Sequence, residues 1–303
     1  MRGRSGIAQL LVLWALVLLG TLAAAFSLSM RTEAQAARNG VDDARAYYQA
    51  RTGVQRAVML LSTVPPDNVM RMKIEGEDGD ASYRARVESE SGKVDVNFVS
   101  EEDLLEILKR GGLPDDEAET LRDAIEDWRD KDDDSRPRGG ESPDYARLPE
   151  ALRPRNGNFR GVGELRYVKG VPREFYDRFL SRVFTAHGNS SQVNYLHAPE
   201  IVLRSLPGVS PEAAAEILER RGGDPPVSPA DLAAMAGRGM LTPKGLSMIS
   251  GRQASKVYEI GSTGRAGNGI LHTVRCLAEV GGAGKNKVKI LMWLDLAPRE
   301  VEG

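Results

Sequence analysis

From residue 7 to residue 30 no side chain carries a charge. About 20 apolar residues wound as a helix are enough to cross a bilayer. Lipid tolerates a single span only when its backbone hydrogen bonds close within the span, so a run of this kind is a helix wherever a membrane receives it. Arg2 and Arg4 precede the run and favour a cytoplasmic N-terminus. Residues 31–62 contain no Pro, and their only glycines are Gly40 and Gly53. Val41, Ala44, Tyr48, Arg51, Gln55, Val58 and Leu61 or Ser62 follow a helical stride, widened by Ala34, Ala37, Tyr47, Val54 and Leu60. The pattern predicts one continuous rod over residues 7–62 that stops at Pro65-Pro66. Three fates of the opening stretch are open. A secretory signal would be cut near Ala23-Ala24-Ala25, a plain anchor would be kept whole, and a short basic leader would be removed after Gly6 with the helix retained. The unbroken run from apolar to amphipathic helix favours the two readings that keep the helix.

The leader MRGRSG, the run IAQLLVLWALVLLG and the later RTEAQAARNGVDDARAYYQARTGVQRAVMLL resemble the minor pseudopilin K family of type II secretion systems. The resemblance implies cleavage by a prepilin peptidase between Gly6 and Ile7, with methylation of the new N-terminus. Most pilins and pseudopilins carry Glu at the fifth mature position; here that position is Leu11, and the K branch is known for lacking the acid. A membrane-buried Glu is costly without a partner, and a subunit at a filament tip has no neighbour above to supply one. By the same resemblance the chain is a single-pass bacterial inner-membrane protein with a periplasmic C-terminal domain. Its implied role is to cap the pseudopilus tip and start its assembly for protein export. The implied partners are the minor pseudopilins I and J, the major pseudopilin below and inner-membrane lipid. The helix face of Leu11, Val41, Ala44, Tyr48, Val54, Val58 and Leu61 would meet those partners and, in part, the chain's own sheet. Gly53 would let helices approach closely.

Beyond the rod the polarity pattern changes twice. In ASYRARVESESGKVDVN, Tyr83, Ala85 and Val87 alternate with polar residues, as do Val94 and Val96, which reads as strands with one wet face. Residues 99–250 read as short helices broken by Gly and Pro. SKVYEIGST, GILHTVRCLAEV and KVKILMWLDL return to strand patterns, separated by the turn-rich GRAGNG and GGAGKNK. This order gives an α+β fold: a long N-terminal transmembrane helix packed on an antiparallel sheet, with a large inserted helical domain, as the K family implies. The division is a leader at 1–6, the helix at 7–62, the first part of the sheet at 63–98, the helical insert at 99–255 and the closing strands at 256–303. KVDVNFVSEEDLLEIL and QVNYLHAPEIVLRSLPGVSPEAAAEIL form a weak internal repeat, each a short entry followed by a capped helix, with Ser100 as a predicted N-cap. Cys276, the single cysteine, cannot form an intrachain disulfide; its place in an alternating strand makes it a small core residue.

The stretch EDWRDKDDDSRPRGGESPDYARL concentrates six acids between Glu126 and Asp134. Such crowding is unfavourable unless water or a cation screens it. Asp130, Asp132, Asp134 and Glu141 stand at positions 1, 3, 5 and 12 of a twelve-residue window, the ligand spacing of an EF-hand loop. Ser135 sits where that loop needs Gly, and Pro137 interrupts it, so the spacing implies hard oxygen ligands without EF-hand geometry. A solvated acidic loop is the alternative reading. The resemblance favours a structural Ca²⁺ site, because the K family carries a D-W-x-D-x-D run followed by G-x-E-D-x-D-Y in a calcium-holding region. Asp127, Asp130, Asp132, Glu141 and Asp144 match it, with Ser142 in place of one acid and Asp134 as an added ligand. Asn156, Phe159, Glu164 and Leu165 match a further family run; Asn156 reads as a loop-ordering side chain, and Phe159, Leu165, Val168, Phe175 and Phe179 as core.

Two other function classes fare worse. SLPGVSPEAAAEILERR resembles a helix-hairpin-helix element, which would make the chain a membrane-tethered DNA receptor. The chain has 41 Lys and Arg against 43 Asp and Glu, and the hairpin's second helix opens with Glu212, where a phosphate-gripping element needs cations. No nucleic-acid partner is expected. A minor pilin of a related type IV pilus machine remains the other alternative. The three His residues share no metal-ligand spacing, and no nucleophile elbow or phosphate loop occurs, so no enzyme is expected.

Overall fold

The computed structural model describes residues 4–146, 153–223, 225–253, 255–267, 269–281 and 287–296. Helix α1 (Arg4–Thr63) runs unbroken for 60 residues, about 90 Å at 1.5 Å per residue. Its N-terminal half is bare: Leu11 is 66% exposed and Phe26 66%. It is the helix, among the described residues, long and apolar enough to cross a membrane, with a mean hydropathy of 2.3 over its most apolar window. Pro65 and Pro66 end it as predicted, but Pro66 also starts a new helix, α2 (Pro66–Arg71), because Pro suits the first helical turn, where its missing N–H is not needed. The sheet region predicted from residue 63 therefore has its first strand only at Ile74.

Five antiparallel strands form one sheet in the order β1-β2-β7-β8-β9. These are β1 (Ile74–Asp78), β2 (Ala81–Ser89), β7 (Val257–Ala266), β8 (Ile270–Val280) and β9 (Val288–Leu296). β2 pairs directly with β7, Ser89 opposite Tyr258, so everything between them is an excursion from two neighbouring strands. That excursion is the helical insert. β3 (Val94–Asp95) belongs to it: Val94 pairs in parallel with Phe184 of β4 (Phe184–Thr185). Val94 and Val96 were expected in the sheet. Their alternation is real, but both are buried in the insert's core.

The helix meets the sheet through small residues. Ala46, Ala50, Val54, Ala57 and Leu61 form its buried face, opposed by Val274, Cys276 and Ala278 of β8. The approach is close enough that only glycine fits at two points. A Cβ on Gly264 would lie 1.9 Å from the Ala46 carbonyl oxygen, and one on Gly53 would lie 2.2 Å from Ser262 Oγ. Gly53 thus serves the chain's own sheet and not a second helix. Ser262 faces Gly53 and Gly264 faces Ala46, so β7 runs back toward the N-terminus of α1. Its first residue, Val257, where the insert rejoins, lies toward the helix end furthest from the bare apolar segment.

The insert contains α3 (Glu101–Arg110), α4 (Asp115–Arg129), α5 (Ser142–Tyr145), α6 (Arg173–Phe175) and α7 (Ser181–Val183), the last two flanking a π-helical stretch, Tyr176–Leu180. Then come β5 (Val193–Asn194), α8 (Glu200–Ser205), α9 (Pro211–Arg220), α10 (Pro229–Gly237), α11 (Pro243–Met248) and β6 (Ile249–Ser250). Ser100 caps α3 by accepting from Asp103 N at 3.2 Å. The weak sequence repeat has a structural counterpart: β5 pairs in parallel with β6 as β3 does with β4. Asp95 and Asn194 each accept from the backbone N–H two residues on, at 2.8 and 3.0 Å.

Candidate functional site

The last turns of α4 carry acids that face inward. Asp127 is fully buried, an arrangement a carboxylate tolerates only when hydrogen-bonded. It accepts from Arg136 N at 3.1 Å, Arg136 Nη1 at 3.0 Å and Gly140 N at 2.8 Å. The loop closes over it so tightly that a Cβ on Gly139 would lie 2.0 Å from Asp127 Oδ2. Asp127 therefore organises the loop and has little capacity left for a metal. Glu126 pairs with Arg129 at 2.5 and 2.9 Å, and Arg129 Nη2 also donates to the Val99 carbonyl at 2.9 Å. Trp128 stacks on Phe159 with ring centroids 6.1 Å apart and meets Tyr145 edge-on at 5.4 Å.

The other predicted ligands divide into two groups. Asp130 and Glu141 are drawn inward. Asp130 Oδ2 accepts from Arg136 Nη1 at 2.6 Å, while Asp130 Oδ1 is buried without a hydrogen-bond partner. Glu141 is 2% exposed; its side chain faces the Asp144 backbone N–H in a capping box, yet among the described residues neither carboxylate oxygen makes a hydrogen bond. Burial, and then the charges of Asp127, Asp130, Asp133 and Asp132, push its carboxyl up to about 7. Asp132 and Asp134 are exposed, with the Asp134 N–H donating to Asp132 Oδ1 at 3.1 Å. Asp144 lies between the groups and accepts from Glu141 N at 3.2 Å. Among the described residues no three acids, histidines or cysteines converge as a ready metal cluster.

Three buried carboxylate oxygens without partners are costly. They are hard donors, and with the acids around them they fit a cation such as Ca²⁺ in chemical type. Asn156 takes the left-handed conformation at φ 48° and donates to the Asp132 carbonyl at 3.0 Å and to Asp133 Oδ1 at 2.8 Å. It orders the loop, as its sequence context implied. Arg136 had no place in the sequence reading, because spacing rules for metal loops count acids and not the cation folded among them.

The predicted partner face of α1 also divides. Val41 and Tyr48 are about 60% exposed, and Ala44 is exposed beside them. Val54 and Leu61 are buried in the chain's own core, with Val58 packed partly against it. Those three positions serve the sheet, which the small residues bring within reach. Gly6 and Ile7 fall in the first turns of α1, and their side chains lie outside the described residues. In the hairpin of α8 and α9, Arg204 pairs with Glu200 at 2.7 Å and Arg220 with Asp231 at 2.6 Å, and Arg238 after α10 pairs with Glu216 of α9 at 2.7 Å. These pairs leave the hairpin little free positive charge for phosphate.

Residues 87–186 match the family described as type II secretion system (T2SS), protein K. A stretch of 88 residues is 33% identical to the type II secretion system protein K of Pectobacterium carotovorum subsp. carotovorum, covering 29% of this chain and 27% of that relative. Just over a quarter of the relative's length is therefore matched. The crystal structure of the GspK-GspI-GspJ complex from the type 2 secretion system of enterotoxigenic Escherichia coli contains a chain with a TM-score of 0.66 to this one. The similarity covers 86% of this chain and 99% of that one at 14% identity. At that identity the likeness carries the fold: a long helix on an antiparallel sheet with a large helical insert.

Proposed function

We infer that this chain is a type II secretion system protein K, the minor pseudopilin that caps the pseudopilus tip and starts filament assembly for protein export; the family match over residues 87–186 supports this reading. One observation carries the reading most. The helical insert leaves the sheet between two paired strands, at the end of α1 furthest from the bare apolar segment. A bulky body there would block the addition of a further subunit above, while the helix below would pack into the filament. The role is mechanical, not catalytic. The anchor would sit in the bacterial inner membrane with the folded domain in the periplasm, after a prepilin peptidase has cut between Gly6 and Ile7 and the new terminus has been methylated. Minor pseudopilins I and J would bind the exposed part of the helix, with the major pseudopilin below. Val41→Asp or Tyr48→Asp, placing a charge on that exposed face, should sharply reduce co-purification of I and J from membranes without changing the chain's own melting temperature. Unchanged recovery of I and J would refute the assignment.

The acidic loop would hold a structural Ca²⁺ through Asp130 and Glu141, assisted by Asp132, Asp134 and Asp144, with Asp127 fixing the loop backbone. When bound, the ion supplies the positive charge that the buried oxygens lack. EGTA should lower the melting temperature and expose residues 130–145 to protease; no change in either would remove the ion from the reading.

A further inference from the structure

We propose that Arg136 is the built-in counter-ion of the acidic loop, and that it competes with the entering divalent cation for Asp130. This rests on the calcium reading above. The guanidinium bridges α3 and the end of α4: Nη1 reaches Asp127 Oδ1 at 3.0 Å and Asp130 Oδ2 at 2.6 Å, and Nη2 reaches Glu101 Oε1, at the start of α3, at 2.9 Å. It therefore neutralises one side of the cluster. It does not complete the other side, where Asp130 Oδ1 and both oxygens of Glu141 stay buried and unpartnered.

The difference follows from the shapes of the two cations. A guanidinium is a flat fork whose donors point along fixed directions, and this fork is already engaged by Asp127, Asp130 and Glu101. A calcium ion takes six to eight oxygens from all sides and can gather Glu141 with Asp130. Asp130 is thus the contested group. Asp127 is not, because the backbone N–H groups of Arg136 and Gly140 hold it at 3.1 and 2.8 Å whatever the arginine side chain does. Release of the arginine is inexpensive at its far end, since the Glu101 side chain is 50% exposed and such pairs contribute little. The loop then has two states, one in which Arg136 holds Asp130 and one in which the ion does.

Mutually exclusive occupancy appears as coupling, and couplings of this kind typically fall between about 5- and 150-fold in affinity. The test uses the full chain in detergent, stripped with EGTA and titrated with CaCl₂ by calorimetry, with melting temperatures recorded with and without the ion. Arg136→Gln should bind calcium roughly tenfold tighter than the native chain. It should melt lower than the native chain without calcium and recover most of the difference with it. Glu101→Gln, which frees only the exposed end of the strap, should shift affinity the same way by a smaller factor, and it serves as the readout if Arg136→Gln does not fold. Equal or weaker calcium binding by the variants would overturn the competition, as would a loss of melting temperature that calcium leaves unchanged. Absence of calcium binding in native and variant chains alike would overturn the calcium reading itself, and the competition with it.

Discussion

The two halves of the folded domain are held together in different ways. The sheet half is a ladder of long strands under one long helix, and its fit depends on what is missing: Ala46, Ala50, Gly53 and Gly264 let two backbones touch. The insert contains strands of two residues and helices of three to fifteen. No element of that size is stable alone. Its order depends on side chains that substitute for missing ladders, such as Asp95, Asn97 and Asn194. A long regular element therefore needs shape complementarity along its length, whereas an irregular body needs particular polar groups at particular points. The two systems meet at Lys93. It is 7% exposed and donates to Glu90 Oε1 and Glu259 Oε2, both at 2.8 Å. Burial opposes its charge, but the two carboxylates outweigh burial and keep it protonated. Gln253 closes the same junction, donating to Ser89 Oγ at 2.6 Å and accepting from Ser91 Oγ at 2.9 Å.

The largest effect is expected where the comparison can be broken outright. Lys93→Met removes the cation that bridges Glu90 on the insert side and Glu259 on β7. Breaking a buried ion pair by deleting one partner costs about 3–5 kcal/mol. In a Trp14→Phe background, Trp128 reports the insert and Trp293 reports β9. The variant should show two separated urea transitions where the native chain shows one. Coincident transitions with a loss under about 1 kcal/mol would mean that the halves are coupled elsewhere.

A smaller effect sharpens the sheet side. Gly264→Ala would put a methyl group 1.9 Å from the Ala46 carbonyl oxygen and 2.4 Å from Ala50 N. Overpacking against backbone costs about 1–3 kcal/mol, here toward the upper end because neither neighbour is a movable side chain. The loss should be reported by Trp293 before Trp128. Equal sensitivity of both probes would contradict a seam confined to helix and sheet.

What the sequence disclosed follows the same division. The length of α1, the closing strands, the buried Cys276 and the Ser100 cap are all legible, because each is written in a periodicity or a local punctuation signal. The seam of α1 is legible only in part. Val54 and Leu61, on the face read as shared between partners and sheet, are buried there, but the alanines Ala46, Ala50 and Ala57 that complete it stand out in no apolar stride. Size misleads there because the partner surface, with Gly264 and Ser262, selects small residues, and that surface is about 200 residues away in sequence. In the insert, the two-residue strands gave no period to detect, and Val94 was assigned to the wrong sheet. The acidic loop was legible in composition but not in arrangement. No spacing rule separates Asp127, held by two backbone N–H groups and Arg136, from Glu141, whose oxygens are buried without a hydrogen bond among the described residues.

The smallest effect probes whether single polar contacts hold the insert in order. Tyr145 is fully buried, and its hydroxyl accepts from Lys169 N at 2.8 Å, tying the end of the acidic loop to the segment after Tyr167. Tyr145→Phe keeps the ring against Trp128 and removes only that acceptor. A buried N–H left without a partner costs about 1–3 kcal/mol; Lys169 N is partly buried, so a loss near 1 kcal/mol is expected, with Trp128 emission unchanged in the folded state. Because the contact spans two loops and not a ladder, amide exchange should quicken at Lys169 and Gly140 while β7 and β8 keep native protection. If exchange instead quickened evenly across both halves, the insert would be sharing the sheet's cooperative unit, and the polar points that distinguish it would matter only for its shape.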